Sequence, residues 1–192
     1  MLISIAGSQG TGKSTVLNEL AKTYPTVTRK TSRSILTDWD VTLSQVNNDR
    51  ELTVKFQDEI IKRKQHDEKF ALESSDIYFT ERTYMDLFTY ALVAIGKDNQ
   101  YSDWLDDYYI KCAAAQESYK GICYLTAGHF KPVEDGVRGV NQHYSFMIDT
   151  MLLDYTLSSR PTSSAKIFQI HTPYIDERVQ QVLTYAREIN KV

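Results

Sequence analysis

The chain has 192 residues, 42% of them hydrophobic, with 22 Lys and Arg against 25 Asp and Glu and a net charge of −3. That length and apolar share suit one α/β domain spanning 1–192 with a sizeable core, and the mild acidity excludes a global attraction to nucleic acid or an anionic membrane while leaving local basic clusters open to such partners. Cys112 and Cys123 are too few for a disulfide framework or a zinc site, and no apolar run is long enough to span a bilayer, so a cytoplasmic protein with reduced core thiols is expected.

Leu2-Ile3-Ser4-Ile5-Ala6 reads as a first strand; it lacks a basic lead, unlike a signal peptide. It runs into Gly7-Ser8-Gln9-Gly10-Thr11-Gly12-Lys13-Ser14, a complete match to the phosphate-binding pattern G-x-x-x-x-G-K-[ST]. Val16, Leu17, Leu20 and Ala21 follow at helical spacing, so the motif stands in the strand–loop–helix context it requires. The glycines let backbone N–H groups turn inward toward phosphate oxygens, and the helix adds its positive dipole end. Residues Gly7 to Thr15 are therefore expected to bind a nucleoside triphosphate. Lys13 would reach the β- and γ-phosphates, and the Ser14 hydroxyl would ligate Mg²⁺.

Thr26-Val27-Thr28 reads as a second strand, ending in Arg29-Lys30-Thr31-Ser32-Arg33. Arg29, Lys30 and Arg33 suit either an acceptor phosphate or an ordinary solvated turn. Asn48 to Glu73 carries Leu52, Phe56 and Ile60 on one stripe and predicts a long amphipathic helix. On it, Gln57 borders the stripe, where its amide is placed either to read a base edge beside Phe56 or to face solvent.

Asp76 to Thr80 is the third strand, leading into Glu81-Arg82. A carboxylate at that exit can hold Mg²⁺ or accept a proton from a substrate hydroxyl. Arg82 suits a phosphate or a neighbouring acid, and Asp86 suits a metal or, more simply, a helix N-terminus. Helices are predicted over Tyr84–Ile95 and Asp103–Tyr119, then a strand over Gly121–Thr126. The loop from Gly128 to Gly139 has the length and glycine content of a lid, about 128–141, that would carry Arg138 onto the transferring phosphoryl group. A helix near Gln142–Leu157, a fifth strand at Lys166–Ile170 and a helix from Tyr174 to Ile189 close the chain. Five strands alternating with helices predict a parallel sheet with helices on both faces, and place every motif above at the carboxyl ends of strands. The four histidines show no metal-ligand spacing.

With these motifs assembled, the chain resembles the small P-loop kinases of the ribosylnicotinamide-kinase-like group, of NadR type, and more distantly deoxynucleoside and thymidylate kinases. The resemblance rests on Gly7–Ser14, on Glu81-Arg82-Thr83 with Tyr84-Met85-Asp86, on Phe56-Gln57, and on Asp135-Gly136-Val137-Arg138. It implies a P-loop NTPase fold of five parallel strands with a lid, ATP as donor, the acid of Glu81 near Mg²⁺ and Gln57 as base reader. One departure matters. Hydroxyl-phosphorylating relatives usually carry a glutamate just after the second strand, whereas here there is no acid until Asp38. Either Glu81, Asp38 or Asp40 is the base, or the acceptor is already a phosphate and needs none.

The expected function is ATP- and Mg-dependent phosphoryl transfer to a nucleoside or nucleoside monophosphate, with Lys13, Glu81 and Arg138 catalytic and Arg29, Lys30, Arg33, Gln57 and Arg82 on the acceptor. One alternative is a kinase for a hydroxymethylated base in DNA, using Arg29–Arg33 and Lys62-Arg63-Lys64 along the backbone; the acidic net charge weighs against it. Another is an ATPase, nucleotide-dependent switch or silent binding module. The tyrosine-rich pair of helices after Glu81 could form a homodimer surface, though nothing in its pattern requires one.

Overall fold

A strand with no polar face must be covered on both sides. In the computed structural model, which describes residues 1–27, 31–130, 141–157 and 164–191, the apolar run at the start of the chain is β1 (Leu2–Ala6), buried throughout. Four strands join it: β2 (Thr26–Val27), β3 (Tyr78–Glu81), β4 (Gly121–Leu125) and β5 (Lys166–Ile170). All pair in parallel in the order β2-β3-β1-β4-β5, so the expected five-stranded parallel α/β sheet is observed. The described helices are α1 (Lys13–Leu20), α2 (Thr31–Asp38), α3 (Leu43–Asn48), α4 (Arg50–Glu73), α5 (Tyr84–Ile95), α6 (Ser102–Gln116), α7 (Gln142–Leu157) and α8 (Ile175–Ile189).

Successive strand residues point to opposite faces of the sheet, and the core divides accordingly. Ile3 and Ile5 of β1, with Cys123 and Leu125 of β4, pack on Val16, Leu17 and Leu20 of α1 and on Val182 and Ala186 of α8. Leu2, Ala6, Ile122 and Tyr124 belong to a second cluster with Ile35, Phe56, Met85, Tyr108 and Ile148 from the other helices. Helices thus cover both faces. Among the described residues, no helix is long and apolar enough to cross a membrane.

Several boundaries differ from the sequence expectation. The long helix expected from Asn48 is broken at Asp49, whose extended backbone (φ −122, ψ 112) and side-chain bond to the Leu52 amide (3.0 Å) start α4 afresh. The preceding α3 has its own capping box between Thr42 and Gln45. Thr31, Ser32 and Arg33 open α2, which buries Ile35 and Leu36, and do not form a turn after the strand. β3 begins two residues late and runs through Glu81. Of the expected lid, residues 131–140 with Arg138 lie outside the described residues, as do Arg29 and Lys30.

β1 and β3 lie side by side with Ile5 opposite Glu81. Yet α1, after β1, joins the first core cluster, and α5, after β3, joins the second. Where neighbouring connections diverge to opposite faces a crevice opens at the carboxyl ends of the strands.

Candidate functional site: a phosphate loop facing an arginine-lined cavity

The loop from β1 to α1 turns through three positive-φ glycines, Gly7 (134°), Gly10 (77°) and Gly12 (86°). At Gly7 a Cβ would lie 2.5 Å from the Leu125 carbonyl oxygen, so the loop can pass the end of β4 only without a side chain. Gly12 occupies the N-cap of α1 and supplies no side chain to its first-turn amides. Inside the loop, the Thr11 hydroxyl donates to the Ser8 carbonyl (2.9 Å). The Lys13 ammonium, only 4% exposed, donates to the same carbonyl (2.6 Å). A polyphosphate entering the loop would draw on these amides and on this ammonium.

Across the crevice, the Ser14 hydroxyl donates to both carboxylate oxygens of Glu81, each at 3.1 Å. Such a pair of hard oxygen donors suits Mg²⁺, which takes one or two protein oxygens and completes its shell with phosphates and water. Among the described residues, no group of three His, Cys, Asp or Glu side chains is placed to hold a metal by itself. The site therefore fits an ion that arrives with its phosphate ligands.

Arg82 follows Glu81 in a left-handed conformation (φ 68). This turn separates the two side chains. Glu81 faces Ser14, while the Arg82 guanidinium stacks over Tyr90 (4.7 Å) and lies 3.8 Å from the Asp86 carboxylate. Burial works against its charge, but Tyr90, Asp86 and Glu81 more than offset that and raise its pKa, so Arg82 is a fixed cation. Asp86 is the reciprocal cap of α5: its carboxylate accepts from the Thr83 amide (2.9 Å) and hydroxyl (2.7 Å), and its own amide donates to the Thr83 hydroxyl (3.0 Å).

Two cavities meet at Arg82. The smaller, about 170 Å³, is lined by Ser14, Glu81, Lys64 and Thr31. The larger, about 610 Å³, runs past Gln9, Phe56, Gln57, Tyr90 and Tyr144. Ser32, Arg33, Ile60, Arg82 and Leu87 line both. Of the residues read from the sequence, the fold thus brings together Ser14, Glu81, Arg33, Arg82 and Gln57. Asp38 and Asp40 line neither cavity, and Asp38 pairs instead with Arg63 at 2.6 Å.

A family model described as an AAA domain matches residues 2–161. The chain belongs to the AAA domain family. No curated protein sequence matches it. Among solved structures, this AAA domain is similar to deoxyadenosine kinase from M. mycoides with the products dCMP and a flexible dCDP bound (TM-score 0.73, 15% identity, 98% of this chain and 100% of that one). The same kinase with bound dATP superposes at a TM-score of 0.69 with 16% identity, over 97% of this chain and 100% of that one. At that identity the likeness is one of fold.

Two buried cations of the AAA domain have partners that sequence reasoning does not reach. Arg178, in the first turn of α8, is 1% exposed. Its Nε donates to the Thr172 carbonyl (2.6 Å), its Nη1 donates to the Thr11 carbonyl, and its guanidinium lies 5.0 Å from the Phe130 ring centre. It braces the phosphate loop from behind, and burial lowers its pKa. The signal was present: Arg178 stands at the head of the stripe Arg178, Val182, Ala186, where a charge is out of place.

Lys64 is the second. It is only 8% exposed, and Arg63 beside it is engaged by Glu59 (2.7 Å) and Asp38 (2.6 Å). Of the run Lys62-Arg63-Lys64, one cation thus points inward and another is paired with acids.

Proposed function

We propose that the protein transfers the γ-phosphoryl group of ATP, in the presence of Mg²⁺, to a nucleoside or nucleoside monophosphate. The observation that carries this reading is the continuity of the site, from Lys13 and the Ser14–Glu81 pair through Arg82 into a cavity with aromatic and amide walls. The shared fold with deoxyadenosine kinase, whose structures hold dATP, dCMP and dCDP, supports it. Amides of Gly7, Ser8, Gln9, Gly10, Thr11, Gly12 and Thr15 would cradle the polyphosphate, and Lys13 would neutralise its β/γ end. Ser14 and Glu81 would hold Mg²⁺, which supplies charge neutralisation between the phosphates when bound. Gln57 would read the acceptor base beside Phe56. Arg138 would act from the lid on the transferring phosphoryl group, and Arg29 and Lys30 would hold an acceptor phosphate.

Within this reading the monophosphate is the favoured acceptor. Two guanidinium groups, Arg33 and Arg82, line the larger cavity, and its described lining includes no carboxylate. A hydroxyl acceptor needs a base within reach; a phosphate oxygen is already anionic and needs only cations to hold it. For a hydroxyl acceptor, a carboxylate of the neighbouring cavity, Glu81 or Asp67, would have to act as base. The resemblance to NadR-type kinases leaves both acceptors open.

ADP release from Mg-ATP, measured against nucleosides, nucleoside monophosphates and hydroxymethylated DNA, tests the proposal. Release that requires a monophosphate supports it fully, and release that requires a nucleoside moves the base role to a carboxylate of the smaller cavity, Glu81 or Asp67. Equal release with every acceptor and with none would replace the kinase by an ATPase.

A further inference from the structure

The peptide joining Glu81 to Arg82 is held at both ends. The Arg82 amide donates to the Ile5 carbonyl of β1 (2.9 Å). The Glu81 carbonyl accepts from the Lys64 ammonium of α4 (3.0 Å). An ammonium has three protons, and Lys64 has three acceptors for them: this carbonyl, the Thr80 hydroxyl (3.2 Å) and the Glu68 carboxylate (2.6 Å). Its orientation is thereby fully determined.

Glu68, 0% exposed, is the base of this arrangement. One oxygen accepts from Lys64 and from the Thr80 hydroxyl (2.7 Å), the other from the Tyr84 phenol (2.8 Å), and the Tyr119 phenol lies 3.3 Å from both. Burial, aided by the Glu68 charge, raises the pKa of both phenols, so they remain donors. With this many donors around it, neither oxygen of Glu68 lacks a hydrogen-bond partner in the core, and the side chain is fixed as the seat for Lys64.

The location makes this more than a core ion pair. The residue after the clamped carbonyl has φ 68, a left-handed conformation that is unfavourable for a non-glycine residue and persists only where its surroundings enforce it. That turn sends Glu81 toward Ser14 and Arg82 toward Tyr90. Lys64 also lines the smaller cavity beside Ser14 and Glu81. We propose that Lys64, held by Glu68, is a positioning residue that fixes the Glu81–Arg82 peptide, so that one carboxylate meets the metal–triphosphate while the adjacent guanidinium meets the acceptor. The inference rests on the proposed function for what Glu81 and Arg82 meet, and on geometry alone for the clamp.

Two variants separate positioning from folding. Lys64→Met leaves Glu68 buried without its cation and should lower both the melting temperature and the function. Lys64→Met with Glu68→Gln removes the orphaned charge, keeps acceptors for both phenols, and should recover most of the melting temperature. The Glu81 carbonyl is still unheld in the double variant. Its turnover should therefore stay down by about 10- to 100-fold, the usual effect of removing a group that orients a metal ligand. A second readout does not depend on turnover: calorimetric ATP affinity with and without Mg²⁺. Both variants should lose most of the Mg-linked gain in affinity while keeping the affinity measured without Mg²⁺. A double variant with wild-type turnover and wild-type Mg-linked gain would reduce the cluster to a fold element and overturn the inference. If the wild type shows no acceptor-dependent transfer, the kinase reading fails, and the Mg-linked gain alone decides the clamp.

Discussion

Removing the buried guanidinium behind the phosphate loop should cost both stability and nucleotide affinity. Arg178→Met keeps most of the buried stem but deletes the donors to the Thr172 and Thr11 carbonyls. Hydrogen bonds from a charged donor contribute about 1.5–3 kcal/mol each, so two of them give about 3–6 kcal/mol. Relief of the desolvated charge, visible in the lowered pKa of Arg178, offsets part of that. A net loss of about 3 kcal/mol is expected. In a chain of 192 residues it corresponds to a fall in melting temperature of about 6–12 °C. Differential scanning calorimetry reads the fall, and ATP titration at a temperature where the variant is fully folded reads the second effect. Because Thr11 belongs to the loop that would cradle phosphate, affinity should fall as well. A shift under about 2 °C, or lost stability with unchanged ATP affinity, would refute the bracing role in its energetic or its functional half respectively.

Three other expectations are simpler. Lys13→Ala should reduce phosphoryl transfer by at least about 10²–10³-fold, as expected for deleting a preorganised donor to developing charge, and undiminished turnover would remove Lys13 from the site. Gly7→Ala should destabilise the fold by about 2–4 kcal/mol, since it combines φ 134 with a Cβ 2.5 Å from the Leu125 carbonyl oxygen; urea denaturation measures this. Burial pushes the Cys112 and Cys123 thiols up to about 12 from an unfolded value of 9.0. The folded state therefore holds protons that the unfolded state releases, and the thiols' contribution to stability is level below pH 9 and declines between pH 9 and 12, joined above pH 10 by the buried phenols of Tyr84, Tyr108, Tyr119 and Tyr124, whose pKa burial also raises. Cys112→Ala with Cys123→Ala should remove the part of the decline that begins at pH 9 and leave the tyrosine part above pH 10, and an unchanged onset at pH 9 would refute the role of the thiols.

The parts of this molecule that the sequence made legible are those whose physics is local. An apolar pentapeptide before a glycine-rich loop can hardly be anything but a buried strand entering a phosphate loop, and β1, the loop and α1 stand where expected. Glu81 was legible because a strand end is a narrow target, and it stands 3.1 Å from Ser14. The break at Asp49 was missed because Asp is tolerated on a helix surface, and only its capping bond marks it as a boundary. α2 was missed because three nearby cations dominate a segment with two buried apolar residues, Ile35 and Leu36. Lys64 and Arg178 were missed for a deeper reason. Charge is read by default as solvent exposure, and what overrides it are acceptors from Thr80, Glu81 and Thr11, contributed by chain segments that sequence spacing does not bring together, alongside the nearer Glu68 and Thr172.

Helix α4 carries Gln57 on the wall of the larger cavity and Lys64 at the exit of β3, seven residues further on. Seven residues are two helical turns, about 10 Å, so one rigid rod sets the distance between the far wall of the pocket and the carbonyl behind the reacting end. Such a rod is a gauge. It cannot stretch for a longer acceptor or yield to a shorter one without moving the anchor of Glu81 along with the wall. Acceptor range in this protein should therefore change through side-chain length at Gln57 and its neighbours, and a single-residue insertion between Gln57 and Lys64 should abolish transfer for every acceptor alike.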